Sequence, residues 1–286
     1  MDANIFTSLI LPLALGVIML GMGMSLTPAD FSRVLRLPKA ALVGLANQLL
    51  ILPILGLAVV WVFALPAELA VGLMILAACP GGPTSNLVSH LARGDTALSI
   101  TLTAISSFVT VMTIPLITNL SLGYFLGLDS PPPLPLWTAV SRILIITLVP
   151  VAIGMTVNRF FPRFTSRSLG AVNLAAALFF VLVIGGAIYG ERDSIPRYFQ
   201  LAGWAALTLN VTSMAIGMAS ARGFGLPRRQ AWTIAIESGL QNGTLAITVA
   251  ASPLFLGQPA LAIPAAIYSL LMFATAAFAI GQGRRG

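Results

Sequence analysis

Apolar residues run through this chain in long blocks separated by short polar interruptions, and the blocks have membrane-crossing length. A spanning helix needs about 20 predominantly apolar residues. Nine stretches qualify: 5–26, 40–63, 68–91, 96–118, 136–157, 168–189, 198–221, 231–252 and 260–280. The pattern predicts an all-α integral membrane protein of nine transmembrane helices. Two of the nine are interrupted. The third carries Pro80-Gly81-Gly82-Pro83-Thr84-Ser85-Asn86, and the eighth carries Ile236-Glu237-Ser238-Gly239-Leu240-Gln241-Asn242-Gly243-Thr244. Pro80 lacks an amide hydrogen, and Gly81, Gly82 and Pro83 disfavour continuous helix. Backbone groups freed by a break cannot face hydrocarbon, so each break must line a cavity or pack against protein.

The polar residues between blocks set an orientation. Of the 15 Lys and Arg, 12 lie in five clusters: Arg33, Arg36 and Lys39; Arg93; Arg159, Arg163 and Arg167; Arg222, Arg228 and Arg229; Arg284 and Arg285. They fall in the connections 27–39, 92–95, 158–167, 222–230 and the tail. The alternate connections, 64–67, 119–135, 190–197 and 253–259, hold only Arg192 and Arg197. By the positive-inside rule the arginine-rich side is cytoplasmic, which puts the N-terminus outside and the C-terminus inside. An odd number of crossings agrees. The first block lacks a basic start and a small-residue cleavage site, so it is expected to remain as a spanning segment.

Composition then narrows the function classes. The chain is 58% hydrophobic and 8% charged, against about 25% charged in soluble domains. A formal charge of +7 invites a nucleic-acid reading, but the basic residues track the connections and form no groove with aromatic side chains. The single Cys79 leaves no internal disulfide and no cysteine metal cluster; it reads as a small buried apolar residue. There is no nucleotide-binding loop, His-rich metal motif, pair of intramembrane carboxylates or nucleophile elbow. An enzyme would need a second catalytic group beside Glu237, so the chain reads as a non-enzyme, with no obligate protein partner evident.

The order of features repeats. The third and eighth segments enter from opposite sides and break. Each follows a helix with a mid-membrane amide, Gln48 (beside Asn47) and Asn210, and each precedes one closing helix. Segments one to four therefore match six to nine with inverted orientation, an architecture whose substrate site lies near the midplane.

Glu237 is the one acid deep in an apolar segment. A charge there costs roughly 2.5 kcal/mol or more unless compensated. Glu237 and Gln241 lie four apart, on one helical face, and Ser99 and Thr103 are spaced likewise on the fourth segment. Carboxylate, amide, hydroxyl and carbonyl oxygens are what a hard cation such as Na+ needs. Thr84, Ser85 and Asn86 open a half-helix whose N-terminal amides attract an anion. The alternatives are a protonated Glu237 bonded to a neighbouring helix, an unliganded proline kink, and Ser/Thr side chains that only pack helices together. His90 reads as interfacial rather than as a proton relay, Arg142 as snorkelling to the outer boundary, and Gly21-Met22-Gly23-Met24 as a close helix contact.

The runs Cys79–Asn86, Leu91–Ser99, Glu237–Asn242 and Gly21–Phe31 resemble the bile acid:sodium symporter (BASS) family, in particular its bacterial ASBT-like members. The likeness implies a core domain (40–118 and 198–280) moving against a panel domain (1–26 and 136–189), with nine helices rather than ten. It implies two coupling Na+ ions. Ser85, Asn86, Ser99, Thr103 and Glu237 match one site; Gln48, Glu237 and Gln241, with backbone carbonyls of Ser238 and Leu240, match the other. Substrate contacts are expected at Pro83, Thr84, Asn242, Gly243, Met272 and Phe273. Pro83, where relatives often carry a hydroxyl residue, and Met272-Phe273, where some bacterial members carry His-Asn, depart from the family pattern. The implied function is Na+-coupled uptake of a small organic anion, a carboxylate or sulfonate, in the cell membrane, with the bacterial inner membrane as the expected location. The alternative is a proton-coupled or exporting carrier of the same fold.

Overall fold

The computed structural model describes residues 5–127, 135–190 and 195–285; Arg192, expected on the outer side, lies outside them. Helices make up most of the described residues, which contain no β-strand. In chain order the helices are α1 (Phe6–Ser25), α2 (Pro38–Val62), α3 (Ala67–Ala78), α4 (Pro83–Leu91), α5 (Thr96–Phe125), α6 (Leu136–Phe160), α7 (Pro162–Gly190), α8 (Ile195–Gly223), α9 (Arg228–Gly239), α10 (Gly243–Ala251) and α11 (Ile263–Arg284). Among the described residues seven helices are long and apolar enough to cross a membrane: α1, α2, α5, α6, α7, α8, and α11 with the short turn before it. The third and eighth apolar blocks appear as helix pairs, α3–α4 and α9–α10. The protein is a multi-pass membrane protein, with a mean hydropathy of +0.97.

Burial is inverted relative to length. The two interrupted segments occupy the interior, with every residue of 69–82 and 233–252 buried. The long helices surround them and turn large apolar side chains outward, such as Leu42, Leu50 and Ile54 on α2 and Leu174, Leu178 and Val181 on α7. Such an outward apolar face is stable against lipid tails, not water. α7 is the most peripheral, with 11% of its most apolar stretch buried. α1 packs against α6 and α7, while α8 packs against α9, α11 and α2. The glycines of the Gly21–Met24 run explain the α1–α6 contact. A Cβ on Gly23 would lie 2.7 Å from Val151 Cα, and one on Gly154 would lie 2.6 Å from Met24 N, so the backbones touch.

Three helices contain a single π-helical turn: Phe6–Ile10, Asn47–Ile51 and Leu144–Leu148. Each turn ends two residues before a proline, namely Pro12, Pro53 and Pro150. The proline ring collides with the carbonyl four residues earlier and donates no hydrogen bond; one wide turn moves that carbonyl away and keeps the helix continuous.

The arginine-rich connections are more ordered than loops. The stretch 158–167 is corrected from a loop to two helix ends, because only Phe161 separates α6 from α7 and Pro162 starts α7. Proline at the first helical position has no amide bond to lose. Within 27–39, Pro28–Ser32 forms a helix fixed by a capping box between Thr27 and Asp30. Arg142 is exposed, and its guanidinium donates to the Leu254 carbonyl.

Candidate functional site: an oxygen cluster at two crossed helix breaks

The breaks meet. Gly82 N donates to Leu240 O (2.9 Å) and Asn242 N to Pro80 O (2.9 Å), so Gly81 and Gln241 pair as a one-residue antiparallel bridge. Backbone groups that neither helix can satisfy are thus satisfied by the other break, as burial requires. The carbonyls at the ends of the first half-helices are met from the preceding long helices. Gln48 Nε2 on α2 donates to Cys79 O (3.0 Å), and Asn210 Nδ2 on α8 donates to Gly239 O (2.7 Å).

Glu237 lies in the last turn of α9, 4% exposed. Its carboxylate accepts from Ser85 Oγ of α4 (2.5 Å), Ser99 Oγ of α5, and Thr103 Oγ1 of α5 (2.8 Å). No Lys or Arg pairs with it: among the described residues the one ion pair is Arg33–Asp30. Asn86 completes the cluster, its Oδ1 lying 2.9 Å from Ser99 Oγ and 3.4 Å from Thr103 Oγ1. The oxygens outnumber the hydrogens available to them. Ser85 Oγ also reaches Gly82 O at 2.7 Å, and Thr103 Oγ1 also reaches Ser99 O at 3.0 Å. Each hydroxyl has one hydrogen, yet each faces two or three acceptors. Gly81 closes one side, since a Cβ there would sit 2.5 Å from Glu237 Oε2. Such a cluster suits a hard cation bound by oxygens, and no group of three or more His, Cys, Asp or Glu among the described residues offers an alternative centre.

The second expected group assembles only in part. Gln48 Nε2 donates to Gln241 Oε1 (2.6 Å), and Gln241 Nε2 donates to Ser238 O (2.8 Å). Leu240 O is used by Gly82 N. Gln48, Gln241, Ser238 and Leu240 therefore lie together, while the Glu237 carboxylate makes its hydrogen bonds on the Ser85–Ser99–Thr103 side.

At the N-terminus of α10, Asn242 Oδ1 caps Leu245 N (3.0 Å), but its buried Nδ2 has no hydrogen-bond partner. A Cβ on Gly243 would meet Ser269 Oγ, another buried polar atom with no partner. Pro83 and Thr84 begin α4 and are partly exposed beside this point. α11 reaches the break through Tyr268, whose OH donates to Gly239 O (2.7 Å), and through Ser269. Met272 lies a turn further along in the apolar core, and Phe273 stacks edge-on against Phe180 at 5.7 Å. Tyr268 and Ser269 were missed in the sequence. Their signal was a tyrosine and serine side by side directly after the apolar run Ile263–Ile267.

Crossed, broken helices around a buried carboxylate, inside a multi-pass bundle, are the build of a secondary transporter. The chain belongs to the sodium bile acid symporter family, whose model matches residues 12–197. It is 30% identical over 256 residues to the uncharacterized sodium-dependent transporter YocS of Bacillus subtilis, covering 90% of this chain and 77% of that one. It is 31% identical over 274 residues to the probable chloroplastic sodium/metabolite cotransporter BASS2 of Oryza sativa subsp. japonica, covering 95% of this chain but 62% of that protein's length. It is 29% identical over 248 residues to the human ileal sodium/bile acid cotransporter, covering 86% and 70%. The protein is a membrane transporter of a sodium-dependent family, not an enzyme.

Proposed function

We infer that this protein takes up a small organic anion, a carboxylate or sulfonate, in symport with two Na+ ions by alternating access. The observation that carries this is the Glu237 carboxylate, buried without a cationic side chain and ringed by hydroxyl and amide oxygens of α4 and α5. One Na+ sits among Ser85, Asn86, Ser99, Thr103 and Glu237. A second uses Gln48 and Gln241 with the carbonyls of Ser238 and Leu240, after the Gln48–Gln241 hydrogen bond opens and Glu237 turns to share it.

The substrate anion follows the cations. α4 and α10 both begin at the crossing, and helix N-termini favour negative charge. The unpartnered Asn242 Nδ2 supplies a donor there, with Pro83, Thr84 and Gly243 as close walls and Met272 and Phe273 beyond them. Cation binding draws α4, α5 and α9 together, so the anion site forms only when sodium is bound. Coupling is reciprocal, and substrate tightens sodium by the factor with which sodium tightens substrate. Two Na+ with one monovalent anion move net charge, which makes uptake respond to membrane voltage.

The motion is that of a core (40–118 and 198–280) against a panel (1–26 and 136–189). α3–α4 and α9–α10 each count as one crossing, giving nine, with the N-terminus outside and the C-terminus in the cytoplasm of a bacterial cell. Uptake by proteoliposomes under separate Na+ and pH gradients tests the reading, with a panel of organic anions as substrates. Accumulation should follow the Na+ gradient and vanish in Glu237→Ala. A pH gradient sufficing without Na+ would establish proton coupling instead.

A further inference from the structure

At the arginine-rich end, about a helical turn beyond the oxygen cluster, the end of α4 and the start of α9 border a recess of about 510 Å³ lined by His90, Arg93, Thr96, Arg228, Arg229 and Trp232. We propose that it is a binding site for a phosphate-bearing anion, the headgroup of an acidic phospholipid being its natural occupant.

Three guanidiniums converge on this recess without a carboxylate to balance them. The acid nearest in sequence, Asp95, caps α5 by accepting from Leu98 N at 3.1 Å, and no ion pair forms here among the described residues. The arginines are held in place by backbone carbonyls. Arg229 Nη2 donates to Gly94 O at 3.3 Å and Arg228 Nη2 to Gln282 O at 3.0 Å, leaving their other N–H groups free. Arg93 is held differently, in the left-handed region at φ 56°, a conformation that side-chain-bearing residues rarely adopt. The turn around it is pinned: Gly94 N donates to Ser89 O at 2.8 Å, and Asp95 N donates to Thr233 Oγ1 at 2.8 Å. A turn fixed so tightly, with arginine where glycine would relax it, suits a side chain that must stand in one place. Trp232, partly buried, forms the apolar wall of the recess between these arginines.

Several arginine forks and a helix N-terminus at Arg228 match a phosphate better than a point charge. Arg and Trp together at a helix end mark the depth of lipid headgroups, which favours a lipid over a soluble anion.

The test uses the full chain in detergent and compares short-chain phosphatidylglycerol, phosphatidylcholine and inorganic phosphate by thermal unfolding and tryptophan fluorescence. Phosphatidylglycerol should raise Tm by roughly 3 °C or more and change a signal that Trp232→Phe removes; phosphatidylcholine should do neither. Arg93→Gly, which relieves the backbone and so remains folded, should lose the shift, as should Arg228→Gln with Arg229→Gln. Arg222→Gln, at the same end but outside the recess, should keep it. A shift produced equally by inorganic phosphate would support the site and assign it to a soluble anion. No shift with either probe, or a full shift in Arg93→Gly, overturns the proposal.

Discussion

The two breaks that cross at the centre of this protein interrupt their helices by different means. In the first, Pro80, Gly81, Gly82 and Pro83 make continuous helix impossible through local chemistry alone. The second contains no proline; Gly239 and Gly243 only weaken the helix there, Leu240 and Gln241 could extend α9, and the engagement of the backbone elsewhere completes the exit. Gly82 N takes Leu240 O, Pro80 O takes Asn242 N, and Asn242 caps the next half-helix. One break is written into its own sequence, whereas the other depends on its partner. The dependent break also carries the carboxylate, so the charged group sits on the element most responsive to what surrounds it. Substitutions that separate local from tertiary causes should therefore act unequally on the two.

The largest effect belongs to Glu237→Gln. It keeps the shape of the side chain and removes the charge, and it replaces one of the two oxygens that accept from Ser85, Ser99 and Thr103 with an NH2 donor. Losing one partner of a buried charge pair costs about 3–5 kcal/mol, which corresponds to a loss of roughly two to three and a half orders of magnitude in apparent Na+ affinity. Sodium titration followed by thermal unfolding measures it. An unchanged sodium response would remove the carboxylate from the ion site altogether.

Next comes the contrast between the adjacent glycines of the first break. A Cβ on Gly81 would lie 2.5 Å from Glu237 Oε2, and one on Gly82 would lie 3.0 Å from Gln241 O. Overpacking of this kind costs roughly 1–3 kcal/mol. Gly81→Ala should displace the carboxylate and weaken the sodium response about tenfold or more, while Gly82→Ala should push on the backbone of the second break and lower Tm with a smaller change in sodium response. Equal sodium affinities in the two variants would show that Gly81 does not shape the ion site.

Much of this was legible in the sequence, and the limits have physical causes. The apolar blocks and both breaks show directly, because membrane helices must satisfy their own backbone and interruptions stand out. Ser85, Ser99, Thr103 and Glu237 could be singled out as oxygen donors, yet nothing in the chain says that α4, α5 and α9 meet around one carboxylate. The Gln48–Gln241 hydrogen bond joins residues far apart in sequence and has no local signal. Met272 and Phe273 drew notice on the last helix, but the contact at the break comes from Tyr268 and Ser269 a turn earlier; a helix of uniform hydropathy gives no reading of its rotation. The three π turns were missed: each ends two residues before a proline (Pro12, Pro53, Pro150), but Pro115 sits inside α5 without one, so proline alone does not foretell them.

The amides that cap the two half-helices offer a smaller but sharper comparison. Gln48→Leu leaves Cys79 O without its side-chain donor and strands Gln241 Oε1, a penalty of about 1–3 kcal/mol for buried polar groups left unpaired. Asn210→Leu should cost less, because Gly239 O keeps the Tyr268 hydroxyl. Denaturation should rank Gln48→Leu below Asn210→Leu, and sodium titration should show a weakened response only in Gln48→Leu. A reversed ranking would mean that the second break relies on its amide more than the first.

The smallest effects separate the causes of the breaks themselves. Pro83→Ala removes one of four consecutive breakers, and Pro80, Gly81 and Gly82 still forbid a continuous helix. Its stability should stay within about 0.5 kcal/mol of the parent, and the half-helix α4 should still begin at the same place, since Ser85 Oγ continues to reach Gly82 O. Asn242→Ala removes the side-chain cap of α10, costing about 1 kcal/mol, and leaves Gly239 as the remaining local signal to end the helix before Gly243. Alanine is also the best helix former, so it favours extending α9 through the crossing, against the bond from Asn242 N to Pro80 O. Hydrogen exchange at residues 240–243 should therefore change in Asn242→Ala, while exchange at 80–83 in Pro83→Ala should not. If both breaks respond alike, the second is held by its own sequence after all, and the asymmetry between them is one of composition rather than of cause.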